Sequence, residues 1–229
     1  MGTGSSLSTL RVSPNMSTVV DSPGWTVVDL ADRFGPIPID RIVTRPAPGQ
    51  ATEDDAIELT EGKRICELVD GVLVEKVIGA YESLVAANLI RLIGCFVASH
   101  KLGSVLGEAG MLRLAPGLIR IPDVAFLSKD KFPGGRFPRD AAWSLAPDLA
   151  VEVLSSGNTD KEMTEKLHDY FTAGTRLVWY VDPRKRQVQV FTSPETSRIV
   201  TQDQMLDGGD VLPGFELSLK ELFAELPNE

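Results

Sequence analysis

Apolar side chains recur along this chain with two periods, and each period marks a different kind of element. Between residues 81 and 100, Val85, Leu89, Leu92, Ile93, Phe96 and Val97 make one stripe of an amphipathic helix, with Gly103 beyond its end. Residues 160–174 repeat the pattern through Met163, Leu167, Tyr170 and Phe171 and close at Gly174. A shorter helix is predicted over 25–35, where Val28, Leu30 and Phe34 precede Gly35. Strand-length runs fill much of the rest. Residues 64–78 read as two strands around Asp70-Gly71, a strong hairpin signal. Residues 103–128 predict three strands, the last being Asp123–Ser128. Further strands are predicted at 149–154 and in "RLVWYVDP" and "QVQVF", the latter two separated by a turn at 183–186. A short helix is predicted at 218–225.

The segments between these elements set the domain plan. Residues 1–22 are rich in Ser, Thr and Gly and are expected to be disordered. Residues 23–60 form an N-terminal extension, its second half an extended, proline-punctuated connector over 36–59. Residues 129–143 are a Gly/Pro-rich loop. There is no internal repeat. Helices flanking a mixed β-sheet place residues 61–229 in a single domain of α/β (α+β) class.

One residue breaks the apolar pattern. Leu149–Leu154 reads Leu-Ala-Val-Glu-Val-Leu, a run suited to a strand buried on both faces, with Glu152 in its middle. An unpaired ionised carboxylate is costly there, so Glu152 needs a cation or a ligand. Three more polar residues fall on inward-facing positions. Lys166 lies three residues after Met163 and four before Tyr170, and so shares their face. Glu82 lies three before Val85 and seven before Leu89. Asp123 follows Pro122 and opens an otherwise apolar strand, 29 positions before Glu152. Each also has a plainer role. Asp123 suits a turn, Glu152 an arginine partner, Lys166 an edge position with its ammonium in water, and Glu82 the positive end of its helix.

Taken together, the carboxylates Glu82, Asp123 and Glu152 with Lys166 have a chemical logic. Hard oxygen ligands suit Mg²⁺ or Mn²⁺, which polarises a phosphoryl oxygen and activates a bound water. A nearby lysine holds that water or stabilises the charge that develops. The only histidines, His100 and His168, are too few for an imidazole-based zinc site. No nucleophile elbow, phosphate-loop lysine signature or dinucleotide fingerprint is present.

Composition adjusts this picture in three ways. A net charge of −9 argues against tight non-specific binding of nucleic acid, though not against a local basic groove. The loop "KDKFPGGRFPRD" offers one, with Lys129, Lys131, Arg136 and Arg139 expected to overhang the pocket and contact substrate phosphates. Asn88 and Arg91 interrupt the most apolar helix, so no membrane span is expected, and the N-terminus lacks the pattern of a secretory signal. Gly2 with Ser5 and Ser6 matches a myristoylation signal only faintly. Cys66 and Cys95 lack metal spacing and read as buried, reduced thiols of a cytoplasmic protein.

Pro122-Asp123 followed by Glu152-Val153-Leu154 resembles the PD-(D/E)XK nuclease superfamily, the restriction-endonuclease-like phosphodiesterases. More closely, "ELVDGVLVEK", "IPDVAFLS", "APDLAVEVLSSGNT", Lys166 with Tyr170, "AG" and "WYVDP" resemble the bacterial Uma family of restriction endonucleases, over roughly residues 60–225. The resemblance implies a restriction-endonuclease-like core, with Asp123 and Glu152 as metal ligands and Glu82 as the acidic residue of the first core helix. It departs at one point: the Glu-x-Lys pattern would put lysine at 154, which is Leu154, and the resemblance to this branch implies that the helix lysine Lys166 substitutes. The implied function is Mg²⁺- or Mn²⁺-dependent endonuclease action on DNA, with no membrane and a homodimer left open. The alternative is a catalytically inactive nuclease-fold protein acting as a binding or regulatory module. A third reading makes the same polar residues an internal salt-bridge cluster.

Overall fold

The structure is a computed structural model that describes Met1, residues 24–77 and residues 79–224. Apart from Met1, the tail expected to be disordered lies outside the described residues, as does the last residue of the helix expected at 218–225. Along the chain run α1 (Val27–Phe34), α2 (Glu53–Glu61), β1 (Cys66–Val69), β2 (Val72–Glu75) and α3 (Ala80–His100). Next come β3 (Gly103–Gly107), β4 (Met111–Ala115), β5 (Leu118–Arg120), β6 (Val124–Ser128), β7 (Ala142–Trp143) and β8 (Leu149–Val153). Then follow α4 (Asp160–Thr172), β9 (Leu177–Asp182), β10 (Gln187–Ser193), β11 (Thr196–Thr201), β12 (Met205–Gly208), β13 (Leu212–Ser218) and α5 (Leu219–Leu222).

The main sheet has six strands in the order β11–β10–β9–β8–β6–β3. It is mixed: β8 and β9 pair in parallel through the α4 crossover, while their neighbours pair antiparallel. Alternation along β8 and β9 divides their side chains between two layers. Leu149, Val151, Val153, Leu177, Trp179 and Val181 face the layer of α3, β13 and α5. Ala150, Val178 and Tyr180 face α4, packing on Met163, Leu167 and Tyr170. Trp179 is fully buried and stacks on Phe215 at 6.1 Å between ring centroids. Its indole Nε1 has no hydrogen-bond partner among the described residues.

A second sheet, in the order β2–β1–β5–β4–β7, carries its own apolar cluster. Its β1–β2 hairpin turns on Asp70 (φ 51°) and Gly71 (φ 73°), the left-handed pair that the Asp-Gly signal predicts. The N-terminal extension crosses this turn closely. Gly49 and Ala51 donate backbone hydrogen bonds to the Gly71 carbonyl, and a Cβ at residue 71 would stand 2.7 Å from the Gly49 backbone.

Several expectations are corrected here. The proline-punctuated connector contains α2, started by a reciprocal capping box between Thr52 and Asp55. Residues 103–128 form four strands, because Gly117 (φ 74°) turns β4 back into β5. Residues 129–143 include two short 3₁₀ turns and β7. Val28 is exposed, and only Leu30 and Phe34 anchor α1. Cys95 is exposed on α3, on the face away from Ile93 and Val97, whereas Cys66 is buried. Burial pushes the Cys66 thiol up to about 11. By length and composition α3 is long and apolar enough to cross a membrane, since Asn88 and Arg91 interrupt it too little. In this fold its Val85–Val97 stripe lies in the main core.

Candidate active site

Strand parity decides where Glu152 points. Val151 and Val153 face α3, so Glu152 faces α4, where residues 166 and 170 stand one turn apart. The Tyr170 hydroxyl donates to Glu152 Oε1 at 2.6 Å. The Lys166 ammonium lies 3.2 and 3.3 Å from the two Glu152 oxygens. Glu152, Lys166 and Tyr170 are all buried. The lysine at this apolar face is therefore a core residue, not a surface one.

Asp123 closes on the same place from the next strand. The β6–β8 ladder pairs Val124 with Val151, which sets Asp123 beside the end of β8. Its Oδ2 accepts the Val153 N–H at 2.7 Å. Its Oδ1 receives the ammonium of Lys76 at 2.8 Å, and the same ammonium stands 3.9 Å from Glu152 Oε2. Those two distances hold the facing carboxylate oxygens of Asp123 and Glu152 within 6.7 Å of each other. Lys76 also donates to the Ile121 carbonyl.

Behind this pair the charges continue into the core. Lys166 lies 3.1 Å from Glu67 Oε1, and Glu67 in turn accepts from Arg120 at 2.9 Å and from the Ile121 N–H at 3.0 Å. Arg120 also binds Asp169. Burial raises the Glu67 carboxyl, but Lys166, Arg120 and Lys76 outweigh it and hold it down at about 2. Glu152 goes the other way. Burial, with Asp123 and Glu67 adding repulsion, raises it above the ordinary carboxylate value against the pull of Lys166 and Lys76. For Lys76, desolvation is outweighed by Asp123, Glu152 and Glu67, and the ammonium is held charged more firmly than usual. On one side Arg41 forks onto Glu162 at 2.6 and 3.0 Å and reaches the Gly157 carbonyl at 3.0 Å.

Glu82, Asp123, Glu152 and Lys166 line one pocket, together with Lys76, Arg41, Glu108 and Glu162. Glu82 curls back over the first turn of its helix. A Cβ on Gly79 would meet its carboxylate, and its other neighbour is Arg184 at 3.9 Å. The basic loop is elsewhere. It leaves from the Ser128 end of β6, five residues beyond Asp123 and roughly 17 Å along the strand. Lys129, Lys131, Arg136 and Arg139 take no part in lining the pocket. Lys131 is tied down to the Ala146 carbonyl at 2.7 Å and lies 3.7 Å from Asp148, while Lys129, Arg136 and Arg139 are exposed. The expected overhang is corrected by the direction of one strand.

Sequence reasoning passed over Lys76 and Glu67. Glu67 carried a usable signal: it interrupts the apolar Cys66–Val69 strand as Glu152 interrupts its own. Lys76 carried none, since a lysine just past a strand end ordinarily lies in water.

In chemical type, the carboxylates of Asp123 and Glu152 suit Mg²⁺ or Mn²⁺. In arrangement they do not fit. Asp123 is engaged by Lys76 and the Val153 N–H, and Glu152 by Tyr170 and Lys166. Among the described residues no three carboxylate, imidazole or thiol groups gather so as to hold one metal ion.

The chain matches the model of a family described as "Uma2: Putative restriction endonuclease" over residues 53–220. It belongs to the Uma2 family. Membership brings it within the PD-(D/E)XK-like nuclease superfamily, and the mixed sheet flanked by helices is the restriction-endonuclease-like core. The fold has a solved counterpart in a protein from Anabaena variabilis ATCC 29413 described as a "putative nuclease belonging to DUF820". That chain is 19% identical, with a TM-score of 0.65, and the match covers 76% of the Uma2 chain and 97% of the other. Comparison with curated proteins finds no match. Arg41 lies outside the 53–220 match and yet lines the pocket, so the N-terminal extension of this Uma2 chain contributes to its site.

Proposed function

We propose that this Uma2 chain works as a nuclease-fold binding or regulatory module whose Asp123–Glu152 pair is countered by its own lysines. The supporting observation is that Lys76, Lys166, Tyr170 and the Val153 N–H engage both carboxylates that a cation would need. DNA is the partner class that the family description suggests. The −9 net charge makes that binding weak and strongly salt-dependent.

A second reading, a Mg²⁺-dependent endodeoxyribonuclease, is favoured by a different observation. The pocket lining carries Glu82, Glu108, Asp123, Glu152 and Glu162 against Arg41, Lys76 and Lys166, an acidic excess that attracts divalent cations. One experiment separates the two. Supercoiled, linear and single-stranded DNA are incubated with the protein in Mg²⁺, in Mn²⁺ and in EDTA. The first reading expects intact DNA in every arm and a salt-sensitive gel shift in EDTA. Cleavage that EDTA abolishes would replace it with the second.

A further inference from the structure

The placement of Lys76 says why the pocket and a metal ion are at odds. Asp123, just before β6, and Glu152, on the adjacent β8, each bring a carboxylate oxygen to the same positive charge. That charge is the Lys76 ammonium, 2.8 Å from Asp123 and 3.9 Å from Glu152. The lysine is a built part of the site. Its side chain is only 8% exposed, and a third oxygen, the Ile121 carbonyl, fixes its tip. Lys166 reaches both oxygens of Glu152 from α4, at 3.2 and 3.3 Å, and shares itself with Glu67. The two lysines are thus not equivalent. Lys166 belongs to the core, whereas Lys76 stands between the two acids.

We infer that Lys76 is the resident cation of this site, an internal counter-ion that keeps divalent metal out of the Asp123–Glu152 pair. The inference rests on the proposed reading of the Asp123–Glu152 pair as countered by the chain's own lysines. A divalent ion bound by both carboxylates needs oxygen distances of roughly 2.0–2.6 Å, and the ammonium stands in that space. Two positive centres a few ångströms apart repel strongly at the effective dielectric of a partly buried site. Removing the charge while keeping the length of the side chain should therefore convert the counter-ion's place into a metal site.

The test is Mn²⁺ binding, read from the loss of the free-ion electron paramagnetic resonance signal, with no DNA present. Wild-type protein is expected to leave millimolar Mn²⁺ free. Lys76→Met should bind at least about ten-fold more tightly, since a unit positive charge at about 4 Å has been removed. Lys76→Arg keeps the charge and should behave as wild type, while adding Asp123→Asn to Lys76→Met should abolish the gain. Wild-type binding as tight as that of Lys76→Met would overturn the inference. So would tight binding by wild type alone, which keeps the question answerable even if Lys76→Met does not fold. Failure here is distinct from failure of the proposed function: DNA cleavage by wild type in Mg²⁺ sinks that reading whatever the Mn²⁺ series shows.

Discussion

The two ends of the β6–β8 strand pair both gather charge, and they do it in opposite physical regimes. At the Asp123 end, Asp123, Lys76, Glu152, Lys166, Glu67 and Arg120 form a continuous run of alternating sign that passes from the pocket wall into the core. At the Ser128 end, Lys131 and Arg176 meet Asp148, with side chains 24% and 51% exposed. Beside them Phe132, Phe137 and Trp143 pack ring against ring. Desolvation makes each partner at the first end indispensable to the others. At the second end Asp148 is buried and also accepts the Ser128 N–H, but water reaches its two cations and makes each of them replaceable. Charge counts in a sequence therefore say little until burial is known.

The largest expected effect breaks the buried end. Lys166→Met leaves Glu152 and Glu67 facing each other in the core without their shared cation. Breaking a buried pair by removing one partner costs about 3–5 kcal/mol, which lowers the melting temperature by on the order of 10 °C at this chain length. A calorimetric melt that moves by less than about 2 °C would show that the run of charges is far less interdependent than its distances imply.

A smaller effect is expected with acid. Glu67 is held at about 2 in the folded chain against an ordinary 4.5, by cations that outweigh its burial. Its folded-state value is depressed, so its contribution to stability is full above 4.5 and is lost as pH falls toward 2. Glu162, lowered by Arg41 against its own burial, loses stability in the same direction. Glu152 is raised, so its protonation relieves a burial penalty and works against the loss. Melting temperature should thus fall below pH 4.5, and Glu67→Gln should flatten that limb. Parallel limbs in the two proteins would remove Glu67 from the account.

The smallest effect belongs to the exposed end. Changing Lys129, Lys131, Arg136 and Arg139 together to alanine should shift stability by no more than about 1 kcal/mol, as expected for surface charges. Mn²⁺ binding by Lys76→Met should be unchanged by the same four substitutions, because the loop starts at the far end of β6. If the four changes weaken it, the loop reaches the pocket after all.

Much of this was legible in the residue pattern, and the exceptions have physical causes. Helical spacing placed Lys166 and Tyr170 on the inward face of α4, and one carboxylate in an apolar run identified Glu152. The Asp70-Gly71 hairpin was legible because two left-handed residues in succession leave few alternatives. α2 was obscured by the prolines before it, although Thr52 and Asp55 mark its start. In the strands β11 to β13 exposed positions break up the alternation, although Leu206, Leu212, Phe215 and Leu217 of β12 and β13 lie in the main core. Lys76 was illegible for a deeper reason. Its burial is created by Ile121, Asp123 and Glu152, which arrive from distant parts of the chain and leave no periodic trace around residue 76.

Trp179 has a consequence of another kind. Its indole lies in the apolar layer against Phe215, on the sheet face opposite Glu152, without a hydrogen-bond partner among the described residues. An indole so placed fluoresces at short wavelength, whereas Trp25 and Trp143, the chain's other tryptophans, are half-buried and emit farther to the red. The molecule therefore carries an optical gauge on one side of its sheet and an electrostatic one on the other. A change that drains colour from the first while leaving the second intact has loosened the α3 layer alone.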